Sequence, residues 1–242
     1  MVKFAEKKKR LALFFIDEFQ DIAGAENSKA IQGAIRYVAQ ETSNITFVFS
    51  GSNRRFLLEL FDDKSKPLYM LCDKMYLQRM SSEDYWGYIQ KAAVARWKKE
   101  VDKFTFDLIL NNTELHPFYI NMLCNELWLS DVPPDIDDVY SAWLRCFESE
   151  ERRLVAEIEK LTNNQQDLLK ELAMQSVTEP TGQRFLKRVG LAYSSVRQTL
   201  KSLEEKDMVY RVKKEDSALK SIKINQIRVL DPLLAFALRK YS

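Results

Sequence analysis

The stretch LALFFIDEFQDI, residues 11–22, sets the terms for the rest of the chain. Six apolar residues run directly into two adjacent carboxylates, Asp17 and Glu18. An apolar run of this length reads as a parallel strand covered on both faces. Ending such a strand in paired acids is costly unless something outside the strand uses the charge. Residues 28–41 then place Ile31, Ala34, Ile35 and Val38 at helical spacing, and ITFVFSGS, residues 45–52, predicts a second buried strand ending in small polar residues. A short helix is expected over 54–61. Strand, helix and strand with a crossover of this length predict the βαβ unit of a parallel α/β sheet.

In open sheets of this kind, ligands sit beyond the carboxyl ends of the strands. Asp17 and Glu18 stand there, as do Ser50, Ser52 and Asn53 after the next strand. An aspartate so placed can hold Mg²⁺ through its water shell, and a neighbouring glutamate can take a proton from an attacking water. A polar side chain on the adjacent strand can orient that water or sense a terminal phosphate. The competing reading is that the acid pair merely caps a strand and opens a loop. The acid pair together with a second strand ending in SGS is more specific than either piece alone.

From Ser81 the pattern turns helical. SSEDYWGYIQKAAVARWKKE opens with Ser81 and, three residues on, Asp84, a capping-box spacing. Further helices are expected over 104–111, 117–129 and 136–161, with Pro117 in a first turn where its missing N–H costs nothing. The Tyr and Trp residues here read as core. From 162, NQQDLLKELAMQ predicts an amphipathic helix, and QRFLKRVG a short one stopped by Gly190. SSVRQTLKSLEEKDM predicts a third helix opening on a Ser cap. MVYRVKKEDSALKSIKINQIRVLD alternates as a β-hairpin around the polar tip KKEDSALKS, and DPLLAFALRK closes the chain as a helix. Three helices and a hairpin predict a winged helix-turn-helix. The expected divisions are 1–78, 79–160 and 161–242.

With 46% hydrophobic and 30% charged residues over 242 positions, the chain can bury a proper core. Its net charge of +2 is unevenly spread: residues 184–242 hold 14 Lys/Arg against 6 Asp/Glu. That asymmetry points the C-terminal part toward an anion. In a DNA-binding reading the third helix enters the major groove, with Ser194, Ser195, Arg197, Gln198 and Lys201 facing outward and Lys213 and Lys214 in the wing near phosphate. Glu204, Glu205 and Asp207 close the same helix and favour protein contact or intramolecular packing instead. Three scattered cysteines and one histidine argue against a zinc site or a disulfide framework. No apolar run approaches the roughly 20 residues that span a bilayer. The basic start MVKFAEKKKR meets acid too soon for a signal peptide. A soluble cytoplasmic protein without membrane contact is expected.

Five motifs in order carry a family resemblance. LALFFIDEFQDI resembles the Walker B segment of archaeal and bacterial ATPases in the AAA+/STAND group of P-loop NTPases, and ITFVFSGSNRRFLLELF resembles their sensor-1 strand and following helix. KPLYMLCDKMYLQRMSSEDYWGYI is similar to their passage from a "PLY" into the helical lid. ELHPFYINMLCNELW resembles their lid motif, and a winged helix follows the lid. The resemblance implies an α/β partial P-loop NTPase sheet, an all-α lid and a winged helix-turn-helix domain. It implies ATP and Mg²⁺ as cofactors, with Asp17 the Mg²⁺-linked acid, Glu18 the catalytic base, and Ser50 or Ser52 the sensor group, Asn53 being a further candidate. Arg54 and Arg55 would be phosphate or inter-subunit contacts, or simply a solvated helix start. DNA, a protein partner or a second copy of the chain would be the partners.

Two departures are local. MLCDK follows "PLY" where the family usually has Gly-Arg, so no arginine is assigned there; His116 stands where relatives often have glycine, and reads as a packing or surface residue. The third departure is larger, because no G-x-x-x-x-G-K-[ST] occurs in the 242 residues. That loop supplies the backbone N–H groups and the lysine that hold the phosphates. The expectation is therefore part of a longer ATPase, inactive alone, whose bare strand edges and apolar faces favour pairing with another chain. The alternative is a non-catalytic DNA-binding or adaptor protein on an ATPase-like scaffold.

Overall fold

The computed structural model of the chain describes residues 11–75, 77, 79–212 and 225–241; of Arg54 and Arg55 only the backbone is described. Residues 1–76 and 77–242 form two separate units. In the first, β1 (Ala12–Ile16) pairs in parallel with β2 (Ile45–Phe49), register Ala12↔Ile45 through Ile16↔Phe49. The helix α1 (Ser28–Glu41) makes the crossover and α2 (Arg54–Asp62) follows β2.

The two-residue period of the strands sorts the side chains. Ile16 and Phe49, on one face, pack on Phe19, Leu60, Phe61 and Leu68, with Ile35 of α1 and Leu57 of α2 closing the same cluster. The other face carries Leu13 and Phe15, 67% and 62% exposed, beside Thr46 and Val48. The strands are thus covered on one face, not on both as their apolar runs predict, because α1 and α2 serve the same core. Arg36 of α1 donates to the carbonyls of Pro67 (2.7 Å) and Tyr69 (3.0 Å), and so clamps the "PLY" segment around fully buried Leu68.

The second unit begins with α3 (Ser82–Trp97), α4 (Lys103–Thr113), α5 (Pro117–Leu127) and α6 (Ile136–Glu159). Ser81 caps α3 by accepting the N–H of Asp84 at 3.1 Å, and Pro117 opens α5 as its position predicts. Tyr85, Ile89, Phe106, Leu110 and Ile120 form one cluster among α3, α4 and α5. Gln90 exchanges two hydrogen bonds with the backbone of Val101 (2.7 and 2.9 Å), which satisfies the one buried residue of the turn between α3 and α4.

A larger core then runs from Ile109 and Trp143 through to Leu238. It takes in α7 (Asn163–Met174), α8 (Gln183–Val189), α9 (Tyr193–Glu205), β3 (Val209–Arg211), β4 (Ile227–Val229) and α10 (Pro232–Lys240). β3 and β4 pair antiparallel with Tyr210↔Arg228 at the centre, and Val177 adds a bridge to Ile227. The expected hairpin tip lies outside the described residues. Gly190 ends α8 at φ 73°, a conformation glycine adopts without penalty. The expected serine cap of α9 is not formed: Ala192 is the cap residue, and Ser194 falls inside the first turn. No helix among the described residues is long and apolar enough to cross a membrane.

These contrasting exposures predict different costs. Trp143→Ala in the large core should lower the free energy of unfolding by about 3–5 kcal/mol. Leu13→Ser on the bare sheet face should stay within about 0.5 kcal/mol, read by urea denaturation.

Candidate functional site at the strand ends

The parallel register brings the carboxyl ends of β1 and β2 side by side. The pairing continues past the strands, with Ser50 N–H donating to the carbonyl of Ile16 (3.0 Å) and Phe19 N–H to the carbonyl of Ser50 (2.9 Å). Asp17 Oδ1 accepts the Ser50 hydroxyl and the N–H of Glu18. Glu18 Oε2 accepts the Ser52 N–H (3.2 Å) and hydroxyl (2.9 Å), together with the side-chain amide of Gln20. Both acids are solvent-exposed.

Each carboxyl group is held below its ordinary pKa. For Asp17 the main cause is the Ser50 hydroxyl, then the Glu18 N–H; for Glu18 it is the Gln20 amide, then the two bonds from Ser52. Hydrogen bonds to the ionised form act in this direction. A depressed folded-state pKa contributes stability above the ordinary carboxylate range, and that contribution is lost as pH falls through the folded value. Near neutral pH the pair is dianionic.

Among the described residues, Oδ2 of Asp17 and Oε1 of Glu18 accept no hydrogen bond. No group of three or more His, Cys, Asp or Glu is gathered to cage a metal there. Open, anionic, oxygen-only donors at the surface fit a hard dication that keeps most of its water shell, as Mg²⁺ does.

The other expected residues fall as follows. Asn53 caps α2, its side-chain oxygen accepting the N–H of Phe56 at 3.1 Å. Arg54 and Arg55 open that helix, and their side chains lie outside the described residues. On α9, Ser194, Arg197, Gln198 and Lys201 are exposed and Ser195 is half-buried, while Val196, Thr199, Leu200 and Leu203 face the core. Lys213 and Lys214 lie outside the described residues. His116 precedes α5 without a side-chain capping bond and packs edge-on against Tyr119, and burial lowers its pKa.

Gln20 and Gly51 were not singled out in the sequence. A Cβ at Gly51 would collide with the amide oxygen of Gln20. The only signal for this was a glycine between two serines, opposite a polar residue one turn past the acids.

The Walker-type ATPase PABY2304 of Pyrococcus abyssi superposes with a TM-score of 0.67 at 16% identity, covering 98% of this chain and 65% of that one. The chain shares the fold of that Walker-type ATPase over the part it covers. A model described as a probable winged helix domain matches residues 155–222, within the second unit of that fold. The ORC2 protein of Aeropyrum pernix, solved in ADPNP–ADP complexes, gives a TM-score of 0.45 at 14% identity over 99% of this chain and 68% of its own. No curated protein matches the sequence. The chain spans 65% of the length of the Pyrococcus protein.

The bracing of the acids is testable by titration. Ser50→Ala should raise the Asp17 midpoint toward the ordinary carboxylate value while Glu18 moves little, as followed by side-chain carboxyl NMR. An unchanged Asp17 midpoint would show that the hydroxyl does not hold it.

Proposed function

We propose that residues 11–75 are the Walker B and sensor half of an ATPase site of the AAA+/STAND type, followed by a helical lid over 79–160 and a winged helix over 161–242. One observation carries this reading: paired acids at the end of β1 are braced by Ser50 and Ser52 at the end of its parallel neighbour. Asp17 would hold the water shell of a magnesium ion through its open oxygen. Glu18, anionic near neutral pH, accepts a proton from the attacking water. Ser50 and Ser52 hold the two acids apart in aim, each to its own task. Asn53 contributes by fixing the turn into α2. Arg54 and Arg55 are the nearest cations in sequence for a phosphate or a neighbouring subunit. Magnesium and ATP, when bound, supply charge neutralisation and the electrophilic phosphorus.

The 242 residues contain no phosphate loop, so the chain alone should hydrolyse ATP negligibly. Steady hydrolysis by the purified chain, abolished in Glu18→Gln, would contradict this. The half-site itself has a separate readout. Mn²⁺ in place of Mg²⁺ should broaden the amide signals around Asp17 and Ser50, and Asp17→Asn should remove the broadening. A wild-type chain without the effect favours a non-catalytic adaptor on an ATPase-like scaffold.

The exposed side of α9 supports a second role, DNA contact. Arg197, Gln198 and Lys201 present donors on one helix face, and the surrounding region carries excess positive charge. Labelled duplex DNA should bind with a strong salt dependence, and Arg197→Ala with Lys201→Ala should weaken it at every salt concentration. No binding at low salt assigns the helix to protein contact.

A further inference from the structure

A cavity of about 800 Å³ opens in the second unit, between the end of α7, α8, β4 and α10. Its wall carries four arginines, Arg184, Arg188, Arg228 and Arg239, against two carboxylates, Glu114 and Glu179. Such a surplus of guanidinium groups around one concave space is costly unless anions share it.

The four are not equivalent. Arg228 is a fixed part of the wall: Glu114 holds it in a fork, Nη2 to Oε1 at 2.6 Å and Nε to Oε2 at 3.2 Å. Arg188 is paired with Glu171 at 3.3 Å and with the side chain of Gln175. Arg239 has no carboxylate within salt-bridge distance among the described residues, and its one hydrogen bond goes to the carbonyl of Ala173 at 3.1 Å. Arg184 makes neither a hydrogen bond nor an ion pair among the described residues, and is exposed. Close packing, only partly offset by Glu114, and the neighbouring Arg228 hold Arg239 below the ordinary arginine pKa. Two guanidinium groups therefore face the cavity with donors to spare, beside a third that is locked in position.

We propose that this cavity binds a terminal phosphate group, with Arg239 and Arg184 as the ligand-contacting residues and the Glu114–Arg228 fork as the positioning wall. The planar fork of arginine matches phosphoryl oxygens two at a time, and a dianion offsets the surplus charge of the wall. The volume admits a ligand as large as a nucleotide. The phosphoryl group could come free in solution or attached to a nucleoside. This inference uses none of the strand-end residues and stands apart from the ATPase reading.

The test is calorimetric titration of the full chain with inorganic phosphate and, separately, with ADP at low ionic strength. Saturable binding is expected, accompanied by a rise in Tm that grows with ligand concentration. Arg184→Gln, which removes no hydrogen bond or ion pair among the described residues, should weaken binding roughly tenfold, the loss of one charge-assisted hydrogen bond. Arg239→Gln should do at least as much, with folding checked by circular dichroism. Lys91→Gln, exposed on α3 and outside this cavity, should bind as the wild type does. Equal affinity for phosphate and ADP identifies the phosphoryl group as the whole determinant; tighter ADP binding assigns the cavity to a nucleotide. Absence of saturable binding, or equal binding by wild type and Arg184→Gln, overturns the proposal.

Discussion

Everything distinctive about the first unit depends on the in-register parallel pairing of β1 with β2. Because side chains alternate with a period of two, this register puts Ile16 and Phe49 into the core together and Leu13 and Phe15 outside together. A slip of one residue would exchange those faces and would also separate the acids from the serines. The same ladder that satisfies the backbone therefore sets the geometry of the site. Phe19 N–H bonding to the Ser50 carbonyl extends it by one rung past the acids, so the loop carrying Asp17 and Glu18 leaves the sheet in a fixed direction.

Much of this was legible in the sequence, for reasons that differ by element. The boundaries of α1 follow from its four apolar positions, and those of α3 and α5 from Ser81 and Pro117, each of which satisfies or removes an orphan backbone group. The acids and serines could be placed at one end of one sheet because a continuous apolar run fixes where a strand stops. Coverage of the second face could not be read, since an apolar run records what a strand tolerates and not what lies above it. The start of α9 was misplaced because two serines offered a cap, whereas the helix begins one residue before them, at Tyr193. Gln20 was missed because a side-chain amide that braces a carboxylate leaves no periodic trace.

The second unit shows how long-range charge can join segments that periodicity separates. Glu114 follows α4 and Arg228 sits in β4, 114 positions apart, yet they form a two-bond fork. Arg79 donates to the backbone carbonyl of the same Glu114 and lies over the ring of Tyr210, the residue paired with Arg228. Gln165 of α7 reaches the Ser202 hydroxyl of α9 at 3.0 Å. A partly buried fork of this kind is expensive to break from one side, because the remaining charge is left without its partner. Helical segment and wing are thereby coupled through a polar seam as well as through the shared apolar core.

Glu18 has one further property with a consequence of its own. Its backbone lies at φ 47°, ψ 42°, a region that costs a side chain with a Cβ about 1–2 kcal/mol. Glycine would occupy that conformation freely, although it gives back part of the gain through a looser unfolded chain. The residue that relaxes the loop is thus the one that deletes the carboxylate. Backbone strain and the carboxylate's hydrogen bonds to Gln20 and Ser52 act in opposite directions at a single position.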